Sequence, residues 1–181
     1  TEQLADAAWR EFQRIDAAGG PSAELQDGTT RARLTAGAGR RDLDIARRRR
    51  AITGVSEFPN LHERLPDAPP RPRNDMPVHG YATPFEQMRD HPVERTVFLA
   101  TMGSVAQHTA RASFAANLLA SGGIDTVTAG ATSNAGEVMS SYAGEPVVCL
   151  CGSDSVYAGW GPALVNALRA AGATYIVLAG R

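Results

Sequence analysis

The sequence of 181 residues contains no lysine, only two cysteines and 6% aromatic residues. Two cysteines are too few for a disulfide-stapled scaffold, and 43% hydrophobic residues are too many for a disordered chain. No apolar run reaches the ~18 residues that a membrane-spanning helix needs. The net charge of -1 disfavours nucleic acid and anionic membranes as partners. A cytoplasmic protein is therefore our starting expectation.

Both ends of the sequence indicate a piece of a larger protein. The first residue is Thr1 rather than methionine, and it opens directly into a helical pattern. The last three residues follow at once on an apolar run that predicts a strand. We therefore expect further chain on both sides, and this limits what can be inferred about activity.

The first part of the sequence is helical in pattern. The apolar spacing predicts a helix over 3–18, a short turn over 21–28 and a second helix over 30–50. The four arginines at 47–50 are interpreted as cations at a helix C-terminus, which the macrodipole favours, rather than as a phosphate or nucleic-acid patch. A short strand is predicted at 52–55.

Residues 59–92 form a proline-rich segment with eight of the eleven prolines. Because proline lacks a backbone N–H, such a segment cannot sustain a long helix or a central strand. We expect a semi-rigid linker with one short helix beginning at Thr83 and Pro84. Three of the four histidines lie in it and are expected to be solvated or bonded to backbone: His62, His79 and His91.

After the linker the pattern changes to apolar runs separated by helical segments. Four runs predict strands, at 96–100, 124–127, 146–151 and 174–178. Because these runs do not alternate with polar residues, they predict a parallel sheet covered on both faces, a doubly wound α/β unit. The ligand crevice of such a sheet lies beyond the carboxyl ends of its strands, here at the loops 101–106 and 152–156.

These loops carry few signs of a ligand site. Neither G-x-G-x-x-G nor G-x-x-x-x-G-K-[ST] occurs, so nucleotide binding lacks its usual motif. Gly103 and Ser104 are interpreted as a structural turn before a helix. Cys149 and Cys151 point to one face of a strand, but no further ligand pair follows for zinc, so two buried, inert thiols are predicted. His108, alone after the first strand, is interpreted as a polar surface residue.

The order of these segments resembles that of the methylmalonyl-CoA mutase family. The stretches A-W-R-E-F-Q at 8–13 and I-T-G-V-S-E-F-P at 52–59 are similar to the end of the family's TIM-barrel substrate domain. V-F-L-A-T-M-G at 97–103 opens a unit similar to its flavodoxin-like, C-terminal cobalamin-binding domain. The resemblance implies a barrel tail, a proline-rich linker and a degenerate, C-terminally truncated cobalamin-binding-type domain, at 1–58, 59–92 and 93–181.

One departure from the family pattern determines the expected role. Active members carry D-x-H-x-x-G after the first strand of this domain, where the histidine becomes the lower cobalt ligand and the aspartate orients it. Aligned on Gly103, this chain has at those three positions Val105, Gln107 and Ala110. A register shifted to use His108 puts Ala106 at the aspartate and Arg111 at the glycine. Neither register supplies the motif, because an amide is a poor metal ligand and an aliphatic side chain orients nothing.

The family's S-x-L segment after the third strand is also changed, to Cys151, Gly152 and Ser153. The resemblance therefore implies the non-catalytic small subunit of the heterodimeric bacterial enzyme, which stabilises a large catalytic subunit. In that family the large subunit holds adenosylcobalamin and interconverts methylmalonyl-CoA and succinyl-CoA in propionate metabolism. Neither cofactor nor metal is expected on this chain, the CoA-ester substrate is expected in the complex, and no catalytic residue is carried over.

Two alternatives stay open. The first is a free-standing flavodoxin-like module that binds a nucleotide or flavin at the same crevice, against which the missing phosphate loop counts. The second is that His108 ligates cobalt in a rearranged loop, which would make the chain an active corrinoid protein. Our prediction for the crevice itself is that side chains fill it.

Overall fold

The computed structural model describes residues 1–64, 67 and 80–180. The chain divides into two compact units, residues 1–50 and 51–181. Part of the predicted linker at 59–92 lies outside the described residues, together with His79, Pro66, Pro69, Pro70, Pro72 and Pro77. Among the helices that are described, none combines the length and the apolar character needed to cross a membrane.

The first unit consists of three helices, α1 (Glu2–Ala17), α2 (Gly20–Gln26) and α3 (Thr29–Ala46). The predicted turn over 21–28 is wrong, because α2 occupies most of it. Pro21 lies in the first turn of α2, where the N–H that proline lacks has no helical partner to lose. The four arginines follow the last residue of α3 rather than forming its last turn.

A buried carboxylate links the helices of the first unit. Glu24 is 2% exposed. Its Oε1 lies 2.6 Å from Nη1 of Arg14, and its Oε2 accepts from the hydroxyl of Thr30 at 3.3 Å and lies 3.6 Å from Nη1 of Arg33. The hydrogen bond from Arg14 is the main cause that lowers the pKa of the Glu24 carboxyl. Several large apolar side chains of this unit are exposed: Leu4, Trp9, Phe12, Leu25, Leu34 and Leu43.

The second unit is built on a four-stranded parallel sheet. Its strands are β1 (Val97–Thr101), β2 (Thr126–Thr128), β3 (Val147–Cys151) and β4 (Tyr175–Leu178). Its helices are α4 (Thr83–Asp90), α5 (Val105–Ser121), α6 (Ala135–Ser141) and α7 (Asp154–Ala170). The spatial order β2-β1-β3-β4 is that of the first four strands of a flavodoxin-type sheet. Leu99 of β1 lies opposite both Thr128 and Cys149.

Helices cover both faces of this sheet. On one face the core residues come from the sheet and from α6 and α7: Phe98, Ala100, Val148, Leu150, Val138, Leu164 and Leu168. On the other face the sheet packs against α5, through Val97, Leu99, Cys149, Cys151 and Ala115. The predicted α/β unit with a parallel sheet between helical layers is confirmed. At one edge of the described sheet, β4 exposes Tyr175, Val177 and Leu178.

The strand predicted at 52–55 is wrong. The N–H groups of Val55 and Ser56 both bond back to the carbonyl of Ile52, at 3.0 and 2.9 Å, so the segment curls into turns. The backbone N–H of Phe58 donates to Oδ1 of Asn117 in α5 at 2.7 Å. Residues 51–58, which the resemblance assigns to the barrel tail, are therefore bonded to the α/β unit. The short helix predicted from Thr83 is confirmed as α4.

Candidate functional site

The candidate site is the switch point of the sheet, at the carboxyl ends of β1 and β3. The helix that follows β1 packs on one face, whereas the helix that follows β3 packs on the other. A doubly wound sheet forms its ligand crevice at such a place. The structure brings the two predicted loops together there, and the N–H of Met102 donates to the carbonyl of Cys151 at 2.8 Å.

The two loops approach each other closely at Gly152. A Cβ atom at this position would lie 2.9 Å from Cβ of Met102 and 3.2 Å from a ring carbon of Tyr157. Only glycine fits between these neighbours without a shift of the backbone or the ring. Direct packing thus takes up the space between the two strand ends.

The segment after β1 begins helix α5 immediately, with Ser104 as its N-cap. Oε1 of Gln107 accepts from the N–H of Ser104 at 2.9 Å and from its hydroxyl at 3.0 Å. The Ser104 side chain in turn faces the backbone N–H of Gln107, which completes a capping box. Gly103 has φ +86°, and a Cβ there would come within 2.6 Å of Oε1 of Gln107. The amide of Gln107 is therefore engaged in starting the helix.

The residues that the resemblance aligns with the family's cobalt-tether motif do not fit that role. Val105, Gln107 and Ala110 all lie on α5, and Val105 is 61% exposed. Positions two apart on a helix are about 200° apart around its axis. Even an aspartate and a histidine at 105 and 107 would point away from each other on this backbone. The donor set and the local geometry both disagree with an imidazole held by a carboxylate.

His108 is buried, so its interpretation as a surface residue is wrong. Its Nδ1 lies 3.2 Å from the carbonyl oxygen of Gly103, which also accepts from the N–H of Thr132 at 3.2 Å. This hydrogen bond fixes the ring against the loop after β1. Within the part of the chain that the structure describes, no three His, Cys, Asp or Glu side chains gather as a metal site.

The residues that the resemblance aligns with the family's S-x-L segment lie in the core and at the start of a helix. Cys149 and Cys151 are both buried, with their sulfur atoms 3.8 Å apart, so the prediction of two buried thiols is confirmed. The neighbouring thiol and burial raise the pKa of Cys151. Ser153 is the N-cap of α7, and its side chain accepts from the N–H of Val156 at 3.4 Å.

A side-chain bridge that sequence reasoning missed crosses the carboxyl end of β3. Arg111 extends from α5, and its Nη2 lies 2.6 Å from Oδ1 of Asp154 at the start of α7. Its Nη1 donates to the carbonyl of Gly152, and its Cζ lies 5.1 Å from the ring centroid of Tyr157. The hydrogen bond with Asp154 is the main cause that raises the pKa of Arg111.

The hydroxyl of Tyr157 lies beneath this bridge. It accepts from the N–H of Gly152 at 2.8 Å and lies 3.0 and 2.8 Å from the carbonyl oxygens of Leu150 and Ala179. Burial is the main cause that raises its pKa. The sequence held one signal for this cluster: its side chains belong to the first two turns of the helices that follow β1 and β3.

Two cavities of the α/β unit lie away from this crevice. One, of about 550 Å³, is at the amino ends of the strands, between residues 93–96 and 143–146. The other, of about 440 Å³, lies beside α5 and is lined by Phe58, Leu61 and Ala116 among others. Neither includes Arg111, Tyr157 or the residues at the tether positions.

Comparison with known proteins places the chain in a family. The family profile described as methylmalonyl-CoA mutase matches residues 1–143. The methylmalonyl-CoA mutase small subunit of Streptomyces virginiae is 41% identical over 100% of this chain and 32% of its own length. The probable small subunit of Mycobacterium tuberculosis (strain ATCC 25618 / H37Rv) is 44% identical over 99% of this chain and 30% of its own.

The small subunit of Propionibacterium freudenreichii subsp. shermanii is 36% identical over 99% of this chain and 30% of its own length. The chain thus spans about a third of the length of the curated relatives that it matches. The resemblance stated from the sequence is confirmed: the chain belongs to the methylmalonyl-CoA mutase family, among its small subunits.

Proposed function

We propose that this chain is part of the non-catalytic small subunit of a heterodimeric, adenosylcobalamin-dependent methylmalonyl-CoA mutase. Its role is to bind and stabilise a large catalytic subunit, which holds the cofactor and interconverts methylmalonyl-CoA and succinyl-CoA. Residues 1–58 contribute the tail of a barrel domain, and residues 93–181 a cobalamin-binding-type domain that has lost its cofactor. The complex works in the cytoplasm, in propionate metabolism.

The start of α5 is the observation that carries this proposal. In an active domain the corresponding segment must present an imidazole to cobalt and a carboxylate to that imidazole. Here the amide of Gln107 closes a capping box with Ser104, and Val105 lies on another side of the helix. The backbone that a tether would need is used to begin a regular helix, which supports a structural role for this subunit.

The decisive experiment uses the full-length protein that contains this chain, co-expressed with the large subunit from the same genome. We expect a one-to-one complex by size exclusion with light scattering, carrying one adenosylcobalamin per heterodimer by absorbance. The isolated small subunit is expected to carry none, and the large subunit alone is expected to lose activity faster on heating. Failure to form the complex, or stoichiometric cofactor on the isolated small subunit, would refute the proposal.

A pair of variants tests the alternative that His108 ligates cobalt. We expect His108→Ala and Gln107→Ala to leave the absorbance spectrum of the reconstituted heterodimer unchanged, because neither side chain reaches the metal. A change in the cobalt-ligand bands with His108→Ala, absent with Gln107→Ala, would favour the active corrinoid alternative. Co-purification of a flavin or nucleotide with the isolated chain would favour the free-standing binding module.

A further inference from the structure

The bridge made by Arg111 joins the two helical layers of the α/β unit. Arg111 lies on α5, which covers one face of the sheet, whereas Asp154 and Tyr157 lie on α7, which covers the other. To make its contacts, the guanidinium must pass over the carboxyl end of β3. That is the position from which a doubly wound domain contacts its ligand.

The polar groups at the carboxyl end of β3 form hydrogen bonds with one another. The guanidinium pairs with the Asp154 carboxylate and with the Gly152 carbonyl, while the Tyr157 hydroxyl takes up the N–H of Gly152. The Arg111 guanidinium and the Tyr157 hydroxyl are the side-chain groups at this end of β3 that could otherwise contact a ligand, and both already have partners within the chain.

We infer that the side chain of Arg111 occupies the switch-point crevice. It covers the carboxyl end of β3 and thereby keeps a small ligand from entering the crevice. The inference deepens the proposed function and rests on it in one respect, that this subunit works without a cofactor of its own. Arg111 acts as a positioning residue: it holds the loop after β3 against α5. The bidentate fork of arginine suits this task, since it reaches the Gly152 carbonyl and the Asp154 carboxylate together.

The test compares Arg111→Ala with Arg169→Ala, an exposed arginine in the last turn of α7. In the 181-residue chain, we expect Arg111→Ala to lower Tm by about 2–4 °C. We also expect it to speed hydrogen exchange at the Gly152 amide about fivefold, because the loop loses its outer contacts. The Arg169→Ala control is expected to change neither. Arg111→Lys, which keeps the charge but not the fork, should lower Tm less and in the same direction.

Ligand-induced shifts in Tm separate closure from binding. Adenosylcobalamin and FMN are the probes, and neither is expected to raise Tm of the unmodified chain. A rise of Tm that appears only in Arg111→Ala would support the inference directly, because removing the occupant opens the crevice. If a probe stabilises the unmodified chain and Arg111→Ala abolishes the effect, Arg111 is a ligand-binding residue and the inference is overturned.

Unchanged Tm and unchanged Gly152 exchange in both Arg111 variants would also overturn it. Heterodimer formation is scored in a separate experiment, so these outcomes do not decide whether the chain serves as a small subunit. Failure of the inference about Arg111 can therefore be distinguished from failure of the proposed function.

Discussion

The two units of this chain are stabilised by different means. The α/β unit buries apolar side chains on both faces of its sheet. The buried strand residues of its two core clusters come from β1 and β3, and Ile176 of β4 packs against one of them. The helical unit of residues 1–50 buries only one large apolar side chain, Ile45, together with the carboxylate of Glu24. Its remaining order rests on helix propensity and on ion pairs around Glu24 and Glu11.

This difference in apolar burial indicates which of the two units has a hydrophobic core of its own. Burial of apolar surface is the main force that offsets the conformational entropy lost on folding. The α/β unit has such a core of its own, and the helical unit presents its leucines and aromatic rings outward. An apolar helix face of this kind is typical of a larger domain of which the three helices are one part.

The largest expected effect comes from separating the units. We expect a fragment of residues 51–181 to fold cooperatively, and a fragment of residues 1–50 to show at most frayed helix, because short helices without a core are marginal in water. Far-UV circular dichroism and urea unfolding of the two fragments would measure this. A sharp, cooperative transition of the 1–50 fragment would contradict the comparison.

A matched pair of leucines measures the same contrast at single residues. Leu164 is 0% exposed in the core of the α/β unit, and Leu34 is 70% exposed on α3. We expect Leu164→Ala to lower the free energy of unfolding by about 2–5 kcal/mol, because it leaves a cavity, and Leu34→Ala to change it by less than about 0.5 kcal/mol. Denaturant titration of the 181-residue chain would detect both. Comparable losses would mean that Leu34 is covered in solution.

Helix caps provide a smaller contrast. Ser153 accepts the N–H of Val156 at the start of α7, whereas the side chain of Thr1 makes no cap bond at the start of α1. We expect Ser153→Ala to cost about 1 kcal/mol of unfolding free energy and Thr1→Ala nothing measurable. Thermal unfolding of the two variants is the measurement. An equal effect of both would show that the caps contribute alike in the two units.

The smallest effect concerns pH. Arg14 lowers the pKa of Glu24 below its ordinary value of 4.5, so this carboxylate stabilises the folded state above that value. The contribution is lost as pH falls through the lowered pKa. We expect the helix signals of residues 1–50, measured by NMR, to weaken below about pH 4.5, and this pH dependence to become smaller in Glu24→Gln. Part of it remains in that variant, because the pKa values of Glu11 and Asp27 are also lowered. The effect is modest because Arg14 and Arg33 are 41% and 45% exposed and screened by water.

Much of the α/β unit could be predicted from the sequence because its signals are local. Runs such as Val97–Thr101 and Val147–Cys151 are apolar without alternation, and a strand buried on both faces requires that pattern. The curled segment at 52–55 could not be predicted in this way. Its isoleucine, threonine and valine favour a strand, but hydrogen bonds back to the carbonyl of Ile52 override that preference.

The location of the site could be predicted from the sequence, but most of the side-chain contacts within it could not. The rule for parallel sheets located the two loops, and the family pattern drew attention to Val105 and Gln107. The cap made by Gln107 has a sequence signature, the Ser-x-x-Gln spacing of a capping box, which the family comparison passed over. The bridge made by Arg111 has none, because its partners Gly152 and Asp154 lie 41 and 43 residues away in the sequence. His108 was misjudged for the same reason, since its burial follows from the loop that folds over it.

The exposed side of β4 has a practical consequence for work with this polypeptide. In the described sheet β4 is an edge strand, so one side of its backbone is not paired with another strand. Beside that edge lie the exposed apolar side chains of Tyr175, Val177 and Leu178. An exposed sheet edge of this kind can pair with strands of other molecules, and such pairing leads to aggregation. We expect purified samples of this polypeptide to aggregate as their concentration rises, and Val177→Lys, which adds a charge at this edge, to reduce that aggregation as measured by light scattering.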